Sequence, residues 1–517
     1  MYTLFPHRFD YTVAWAGLTE GGADLAYSNK AALAGGSGVY PLRVWLFRSS
    51  VCLAALAAPA ACSGAAAGGP VAASDVAASK GVSSENRGLD PAGVKADTKV
   101  VFNIFEFEGI KSIGHGNVIE PYGGLYQDKN SNLIVPEYGF LPENGSGTLL
   151  PGAIAELTKQ GSRYVQRVLY VFQGNSYGDG ETPKGIIAPG PDGILYGTTS
   201  RGGGTTCSND GCGTVYALTP KGSTYTESPA YSFKSTGDVI NPQAGVVEYN
   251  GVLYGTGSHG GSSASDAKAG YGGIYALTPG SAPSESVIYN FTNGDDGGTP
   301  YGVLTVQNGL LYGTASTGGA YSSGGANPGG TLFSITPSGS ITILHTFGSG
   351  TDGATPHGSV VFDSTGALYG TTTAGGAYGQ GMVFKFAAGQ YSDIYDFKGL
   401  PNDGGSPWSN LVVASNGVLY GTTLEGGGGT CTANMKLSGC GTLYGLSPSS
   451  GAYIESFLYS FLGPDHQMGG AFPFAGLILG NDGNLYGTTY NGGLKPGKRC
   501  DQPQGCGLVF ELTPPAS

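Results

Sequence analysis

The sequence has few charges for its length, and they leave no excess of basic residues. Charged residues make up 12% of the 517, and 36 Asp and Glu outnumber 24 Lys and Arg, which gives a net charge of −12. Nucleic-acid-binding domains need a basic face, so this balance argues against that class and against an electrostatic hold on anionic lipid. Disordered chains are poor in aromatic residues, whereas Phe, Trp and Tyr make up 11% here, which argues against wholesale disorder.

Motifs for catalysis and for metal binding are also missing from the sequence. The six His residues form no His-Glu-x-x-His motif, and no Asp-x-Asp-x-Asp run offers the clustered oxygen ligands that Ca²⁺ needs. The stretch 174–178 reads Gly-x-Ser-x-Gly, but it lacks the strand-to-helix setting of a nucleophile elbow. The sequence therefore predicts no cofactor, no metal and no assignable catalytic residue.

What the chain does have is glycine, proline and one motif repeated at a long period. The 95 Gly and 30 Pro form about a quarter of the chain, without the three-residue period of collagen. Leu-Tyr-Gly-Thr begins at Leu195, Leu253, Leu311, Leu368, Leu419 and Leu485, at spacings of 51 to 66 residues. A degenerate seventh copy occupies 128–139. A period of this size is typical of solenoids, propellers and repeat arrays.

Each repeat contains four short strand-like runs, which we letter a to d. In one repeat they are 302–306, 310–314, 330–336 and 341–347, and Asn308-Gly309 between the first two is a strong hairpin signal. No convincing helical period follows residue 97. Four antiparallel strands repeated seven times predict an all-β fold, a seven-bladed β-propeller over residues 98–517.

The two ends of the repeat region predict how the ring closes. It opens with a d-type run, 100–107, and ends after a c-type run, 507–513, with no d strand to follow. We therefore expect the N-terminal strand to pair with the last blade and complete it, which leaves no unpaired strand edge there.

The repeat resembles a known bacterial family at this level of detail. The stretches Phe472–Gly493 and Gly381–Phe386 are similar to the GloVer repeat, and the resemblance covers roughly 98–517. It implies a propeller-like fold and an exported or surface location with varied anchors, but no established activity. The first copy departs from the Leu-Tyr-Gly-Thr core. The Gly-Gly doublet after strand b also resembles kelch blades, whose Tyr/Trp spacing is not kept.

The N-terminal region predicts export. Residues 43–61 read as a signal peptide, because Arg43 and Arg48 precede an uncharged apolar run that is too short to span a bilayer. Residues 1–42 are either an extension or the result of a mis-assigned start, and the Ala/Gly/Ser-rich stretch 62–97 reads as a flexible tether. Cys62 sits in a lipobox-like sequence that departs at Pro59. Ordinary cleavage after 58–60, without a lipid, therefore stays open.

The cysteines support lipidation of Cys62 and three local disulfides. Beyond Cys62, six Cys form sequence-local pairs, so Cys62 is the odd one left over. The pairs each bracket a loop between strands b and c: Cys207 with Cys212, Cys431 with Cys440, and Cys500 with Cys506. A metal site would need loops from separate blades to meet, so disulfides are the favoured interpretation for an exported chain.

The connections assign different roles to the two faces of the ring. Tight a–b turns share one face, while the variable b–c and d–a loops share the other, which we call the loop face. Four d–a loops carry an Asp-Gly motif that ends in Pro, beginning at Asp179, Asp296, Asp352 and Asp403. It reads as a turn, with Ca²⁺ binding or acid/base chemistry as the alternative.

The residue after that proline should start the innermost strand, at the mouth of the central channel. The seven occupants, which we call the mouth residues, are Tyr122, Lys184, Gln243, Tyr301, His357, Trp408 and Phe474. Aromatic rings at such a position suit the flat faces of sugars, so Tyr122, Tyr301, His357, Trp408 and Phe474 are the candidate ligand-binding residues. The alternative is that these rings plug the channel.

Two functions are compatible with these patterns. The first is a monomeric, exported, non-catalytic binding or scaffold protein that presents its loop face to carbohydrate or to another surface protein. It would reside in the outer membrane or at the cell surface through a lipid on Cys62, or be secreted or periplasmic without the lipid. The alternative is a propeller lyase or hydrolase acting on polysaccharide, for which His357 with Asp352 is the visible acid/base candidate.

Overall fold

The computed structural model describes the ranges 82–86, 100–106, 117–119, 121–141, 151–161, 163–204, 207, 210–222, 224–261, 270–321, 329–401, 403–429, 431, 439–463, 469–493 and 507–515. The predicted signal peptide, the residues before it, Cys62, Cys500 and Cys506 lie outside these ranges. Within them, the helical elements are two short 3₁₀ turns, Asn175–Tyr177 and Pro191–Gly193. None of the described helices is long and apolar enough to cross a membrane.

Seven antiparallel sheets, the blades, follow one another along the chain in the order a-b-c-d. Blades 1 to 4 are Tyr126–Gln127, Leu133–Glu137, Ala153–Gln160, Arg163–Val171; Gly180–Pro189, Leu195–Gly202, Thr214–Lys221, Thr224–Ser232; Val247–Tyr249, Val252–Gly257, Gly273–Thr278, Ser284–Asn290; and Thr305–Gln307, Leu310–Ala315, Thr331–Ile335, Ile341–Thr346. Blades 5 to 7 are Val361–Phe362, Leu368–Thr372, Met382–Ala387, Gln390–Asp396; Val412–Val413, Leu419–Thr423, Thr442–Ser449, Ala452–Ser460; and Leu477–Leu479, Leu485–Thr489, Leu508–Thr513, Val100–Glu106. The predicted all-β, seven-bladed propeller of four-stranded antiparallel blades is confirmed.

Short two-stranded ladders join the loops of the loop face and were not predicted. In each, the chain just before strand a pairs with the chain just after strand b of the same blade. The pairs are Asn117–Ile119 with Gly139–Leu141, Val239–Ile240 with His259–Gly260, Gly353–Ala354 with Ala374–Gly375, Gly404–Gly405 with Glu425–Gly426, and Gly470–Ala471 with Asn491–Gly492. Strands of two or three residues are too short to show alternation, so sequence patterns do not reveal them.

Blade 7 is built from both ends of the repeat region. Strand Val100–Glu106 runs antiparallel to Leu508–Thr513, with Val101 opposite Thr513 and Glu106 opposite Leu508. A fifth strand, Val82–Asn86, pairs with the outer side of Val100–Glu106. It falls within the stretch for which the sequence predicts a tether without strands. Its sequence, Val-Ser-Ser-Glu-Asn, has a single apolar residue, and pairing at a sheet edge can rest on backbone hydrogen bonds alone.

The last blade also packs against the first. Lys159 Nζ of blade 1 lies 2.6 Å from Glu511 Oε1 of blade 7, and Tyr164 donates a hydrogen bond to Glu511 Oε2 at 3.1 Å. A Cβ on Gly507 would lie 2.6 Å from Pro121 Cδ, so the two blades approach closely there. Blades 1 and 7 are therefore neighbours in space.

Buried aromatic pairs between neighbouring blades form much of the core. The Phe that follows strand d of one blade contacts the aromatic residue of strand c in the next, at ring-centroid distances of 4.9–5.4 Å. The pairs are Phe172–Tyr216, Phe233–Tyr275, Phe291–Phe333, Phe347–Phe384, Phe397–Tyr444 and Phe461–Phe510. Because each pair spans two blades, a single blade cannot bury its own core.

The glycine of Leu-Tyr-Gly-Thr makes room for that strand-c ring. Gly421 lies opposite Tyr444 in the sheet, and a Cβ on Gly421 would overlap the Tyr444 hydroxyl and come within 2.9 Å of Leu411 Cδ2. In the degenerate first blade the sizes are reversed, because the larger Val135 of strand b pairs with the smaller Ala155 of strand c. Large and small residues have exchanged strands, which keeps the layer filled.

Replacing Gly421 by Ala will therefore destabilise the ring although the change adds one methyl group. Overpacking of a close-packed core costs about 1–3 kcal/mol, and the melting temperature should fall accordingly. Gly428→Ala is the matched control, since its new Cβ would meet only Ser460 Oγ at 3.9 Å. Equal melting temperatures for G421A and G428A would contradict this account. The exchange G421V/Y444A, copied from blade 1, should recover part of the loss.

Candidate functional site

The turn into each strand a is the joint between two blades, and its backbone is unusual. The residue before the proline has a positive φ of 52–58° in six joints, at Thr182, Asn241, Thr299, Thr355, Ser406 and Phe472. Non-glycine residues rarely adopt this conformation, and a residue before proline normally has an extended backbone. At Thr355, two hydrogen bonds stabilise this backbone conformation. Its N–H donates to Gly329 O of the preceding blade at 2.7 Å, and its carbonyl accepts from Thr373 Oγ1 of its own blade at 2.9 Å.

The threonine of Leu-Tyr-Gly-Thr fixes the start of the next blade's innermost segment. Thr198 Oγ1 donates to Ala244 O at 2.7 Å, one residue beyond the mouth residue Gln243. The same bond recurs from Thr256, Thr314 and Thr371 to the carbonyls of Gly302, Gly358 and Ser409. Thr422 differs, because it donates to the carbonyl of Pro473, one residue before the mouth residue Phe474. The repeat motif and the joint together set the position of the mouth residues.

The predicted mouth residues do come together. Tyr122, Gln243, Tyr301, His357, Trp408 and Phe474 line one cavity of about 80 Å³, and Lys184 contacts two of them. Small-molecule sites usually measure a few hundred Å³, so a whole sugar ring does not fit inside this cavity. A ligand would have to rest on the rims of the rings and insert no more than one substituent.

Five of the mouth residues form a continuous arc of ring contacts. His357 stacks on Trp408 with a centroid distance of 3.8 Å, and Tyr301 lies 4.8 Å from His357. Phe474 continues the arc, 6.0 Å from Trp408 and 5.2 Å from Tyr122. All five side chains are half-buried, so each ring packs on its neighbours and keeps part of its surface exposed. The arrangement is compatible with both alternatives that the sequence left open, because the rings pack on one another and each keeps part of its surface exposed.

The remaining two mouth residues form a polar segment beside the arc. Lys184 Nζ donates to Gln243 Oε1 at 2.7 Å and lies 4.7 Å from the centre of the Tyr122 ring. Burial, and after it the positive charge of Arg201, lowers the pKa of Lys184 to about 8. Burial also raises the pKa of Tyr122 to about 12. At neutral pH, Lys184 is therefore mostly charged and Tyr122 is neutral.

The acid/base pair that the enzyme alternative requires is not assembled. Asp352 accepts hydrogen bonds from Tyr391 at 2.7 Å and from the Gly353 N–H at 2.7 Å, and it pairs with His345 Nε2 at 2.9 Å. His357 instead contacts the Thr355 carbonyl through Nδ1 at 3.0 Å. Burial lowers the pKa of His357 to about 4, so its imidazole is neutral at physiological pH.

The Asp-Gly motif forms turns tied to strand d of the preceding blade. Asp179 accepts hydrogen bonds from Tyr170 at 2.8 Å and from the Gln173 N–H at 2.7 Å. Asp238, which is followed by Val239 and lacks the glycine, accepts from Tyr231 in the same way at 2.8 Å. Tyr289–Asp296 and Tyr395–Asp403 repeat the contact. Among the described residues, no group of three or more His, Cys, Asp or Glu is placed to hold a metal ion.

Carboxyl pairs between blades are the titratable groups that the sequence interpretation missed. Tyr395 Oη lies 3.0 Å from both Asp403 Oδ2 and Glu455 Oε2. A hydroxyl donates only one proton, so the second contact requires a proton on one of the two carboxyl groups. Burial, and after it the charge of Asp403, raises the pKa of Glu455.

The same arrangement occurs at two other blade interfaces. Burial and the charge of Asp179 raise the pKa of Glu227 to about 8, and burial and Asp238 raise that of Glu285 to about 7. A sequence signal was available, because each of these glutamates precedes the last tyrosine of its strand d by four residues: Glu227/Tyr231, Glu285/Tyr289 and Glu455/Tyr459.

Two of the three predicted disulfides are present, and both lie at blade joints. Cys207–Cys212 and Cys431–Cys440 each have a Cα–Cα distance of 5.1 Å. The Cys212 carbonyl accepts from the Asn241 N–H, and the Cys440 carbonyl accepts from the Phe472 N–H. Each crosslink therefore closes a b–c loop beside the backbone that supports a mouth residue.

The third predicted disulfide, between Cys500 and Cys506, is not tested by the structure. Cys500 and Cys506 both fall in the b–c loop of blade 7, between the described residues Gly493 and Gly507, and so lie outside the part of the chain that the structure describes. The pairing of Cys506 with Cys500 therefore stays a prediction from the sequence. The lipid on Cys62 also stays a prediction from the sequence, because that residue lies outside the described ranges.

Glycines close the bases of the b–c loops in a common way. The N–H of the glycine that enters strand c donates to the carbonyl of the glycine after strand b, at 2.8–3.2 Å. The pairs are Gly202/Gly213, Gly318/Gly330, Gly375/Gly381, Gly426/Gly441 and Gly492/Gly507. The loops between them differ widely in length, with five residues in blade 5 and fourteen in blade 7.

Exposed tyrosines are concentrated on the loop face. Tyr177, Tyr271, Tyr321 and Tyr378 expose 78%, 45%, 49% and 56% of their surface, and all four lie in d–a or b–c loops. Tyrosine among glycine and serine is the composition of binding loops in antibodies, because its ring offers contact area with little conformational freedom to lose.

Solved structures with similar backbones share little sequence with this chain. They include a GH74 enzyme of Niastella koreensis (13% identity, 74% of this chain, 53% of that one, TM-score 0.43) and the extracellular domain of a putative one-component system of B. thetaiotaomicron (10%, 80%, 40%, 0.44). A putative 6-phosphogluconolactonase of Bacteroides uniformis also matches (13%, 74%, 95%, 0.43). The chain spans about half the length of the first protein and less of the second. No activity follows from these likenesses.

The repeat itself identifies the family. No curated protein matches the chain. The Gloeobacter/Verrucomicrobia repeat, in contrast, matches residues 94–325 and 319–517, which together cover every blade. The chain therefore belongs to the Gloeobacter/Verrucomicrobia repeat family.

Proposed function

We propose that the protein is an exported binding or scaffold propeller whose ligand, a carbohydrate, rests on the mouth of the central channel. The observation that carries the proposal is the arc of half-buried rings from Tyr301 to Tyr122, a shelf on which the C–H face of a sugar can stack. The exposed loop tyrosines lie outside the cavity lining and are not part of this proposed site. Binding to another surface protein through the same loops is the competing outcome.

Export and anchoring complete the proposal. Structural disulfides persist in oxidising compartments, so the two observed crosslinks support an extracellular or periplasmic location. We propose that a lipid on Cys62 holds the chain at a membrane as a monomer. Intact-mass analysis of the mature protein tests this, because an unmodified N-terminus at residue 61 or 62 would indicate plain secretion. The same measurement with and without reduction tests whether Cys500 and Cys506 form the third crosslink.

Trp408→Ala should weaken glycan binding roughly five- to thirty-fold. The loss of one stacked ring removes contact on the order of 1–2 kcal/mol, and the neighbouring His357 loses its support. The measurement is a glycan array followed by titration calorimetry of the best ligand, with thermal melting to verify the fold. Tyr378→Ala is the control, since this exposed tyrosine lies in a b–c loop away from the cavity. Equal loss in both variants would move the site to the loops, and no glycan binding at all would refute the proposal.

A further inference from the structure

Lys184 is the mouth residue with a positive charge, and its neighbours in the fold do not balance that charge. Lys184 is half-buried, and its ammonium group has Gln243 Oε1 and the Tyr122 ring as neighbours. Among the described residues, no carboxylate forms an ion pair with it. The charge that acts on it is the like charge of Arg201. A buried cation without a counter-ion is costly, and proteins usually pair such groups.

The surroundings of Lys184 also show where a counter-ion would enter. Tyr122 and Gln243 on its two sides both line the central cavity. That cavity of about 80 Å³ has the volume of two to three water molecules, which is enough for a carboxylate group. The aromatic arc ends at Tyr122, so a sugar stacked on the arc can direct a ring substituent towards Lys184.

We infer that the mouth selects acidic carbohydrates, with the carboxylate of a uronic acid bound by Lys184 and Gln243 while the sugar ring stacks on the aromatic arc. This rests on the proposed carbohydrate binding at the mouth and adds its chemical class. The Lys184 ammonium keeps donors beyond its bond to Gln243 Oε1, and the Gln243 amide keeps one N–H beyond the one that it donates to Asn241 Oδ1. Both groups can donate to carboxylate oxygens, and a charge-assisted bond of this kind is stronger when water is excluded. Tyr122 and Arg201 are the titratable groups that act on Lys184. Tyr122 stays neutral at neutral pH, whereas Arg201 adds positive charge.

Lys184→Gln separates this role from a structural one before any ligand is added. If Lys184 were needed to hold the joint, its removal would lower the melting temperature. If it is an unpaired charge kept for a ligand, K184Q should melt at the same temperature as the parent or a few degrees higher, since the buried charge disappears. Lys385→Gln is the matched control, because Lys385 also lies over a tyrosine ring, 5.4 Å from Tyr369, but outside the mouth.

The binding test uses trigalacturonate and its methyl ester, which have the same rings with and without the negative charge. The parent and K385Q should bind the acid at least tenfold more tightly than the ester, and K184Q should bind both forms equally. An equal affinity of the parent for both, or a preference that survives in K184Q, overturns the inference. If the ester or a neutral glycan binds in a Trp408-dependent way without any acid preference, the inference fails and the proposed function stands. If no glycan binds, both fail.

Discussion

A chain lacking residues 1–107 will not form a stable ring. The deletion removes strand Val100–Glu106, which pairs with Leu508–Thr513 along six residue pairs. At about 1 kcal/mol for each net backbone hydrogen bond, the loss is about 5 kcal/mol, a large part of the stability of a domain. It also leaves the buried strand 508–513 with an open edge. We expect no cooperative thermal transition, or a melting temperature lower by 10 °C or more, together with aggregation.

The control for this experiment is a chain that begins at residue 82. It lacks the predicted signal peptide and most of the tether but keeps both Val82–Asn86 and Val100–Glu106. It should melt like the full chain. If the two truncated proteins unfold at the same temperature, the N-terminal strand does not support the ring. A third variant, beginning at residue 98, measures what the fifth strand of blade 7 contributes.

The second large effect is a loss of stability as the pH rises from about 5 to about 8. The three glutamates at the blade interfaces have raised pKa values in the folded protein, to about 8 for Glu227 and about 7 for Glu285. In the unfolded chain they titrate near the ordinary value of about 4.3. Between these values the folded state holds more protons, so the free energy of unfolding falls with pH and the loss is complete above the folded pKa.

The variant E227Q/E285Q/E455Q should remove this dependence. Glutamine keeps the shape of a protonated glutamate and carries no charge, so it leaves Asp179, Asp238 and Asp403 as single carboxylates. With roughly 1 kcal/mol per pair after solvent screening, we expect a gain of about 3 kcal/mol at pH 8 and little change at pH 5. Glu248→Gln is the control, because Glu248 is exposed in strand a of blade 3 and accepts a hydrogen bond only from the Gly251 N–H of the following turn. Parallel stability curves for the parent and the triple variant would show that the pairs do not titrate in this range.

Much of the architecture was predictable because the sequence repeats itself. A glycine, an aromatic residue or a proline that recurs at the same place in each unit must serve the same purpose there. For this reason the blades and the mouth positions Tyr301, His357 and Trp408 could be placed from the sequence alone. The interfaces were harder to predict, since Glu455 meets Tyr395 of the preceding blade, 60 residues earlier in the chain, together with Asp403. Spacing within one repeat does not reveal which strands of two blades face each other.

The contacts that individual side chains make at the mouth depend on their neighbours in the ring and do not follow from the repeat. Lys184 lies over Tyr122 only because blades 1 and 2 are adjacent and its long side chain bends towards the first of them. His357 lies five residues from Asp352 in sequence, but their side chains take part in separate contacts because the residue between them at position 355 has a left-handed backbone. Strand Val82–Asn86 was missed for a third reason, since a polar edge strand has no pattern to detect.

The glycine pairs that close the b–c loops allow these loops to differ in length while the ring keeps its structure. Gly375/Gly381 and Gly492/Gly507 form the same hydrogen bond although five residues lie between the first pair and fourteen between the second. Insertions between such anchors leave the strands, the joints and the mouth where they are. Loops could therefore diversify during evolution by gaining or losing residues without a cost to folding. The same anchors mark the places where foreign peptides could be grafted onto this scaffold in up to five blades at once.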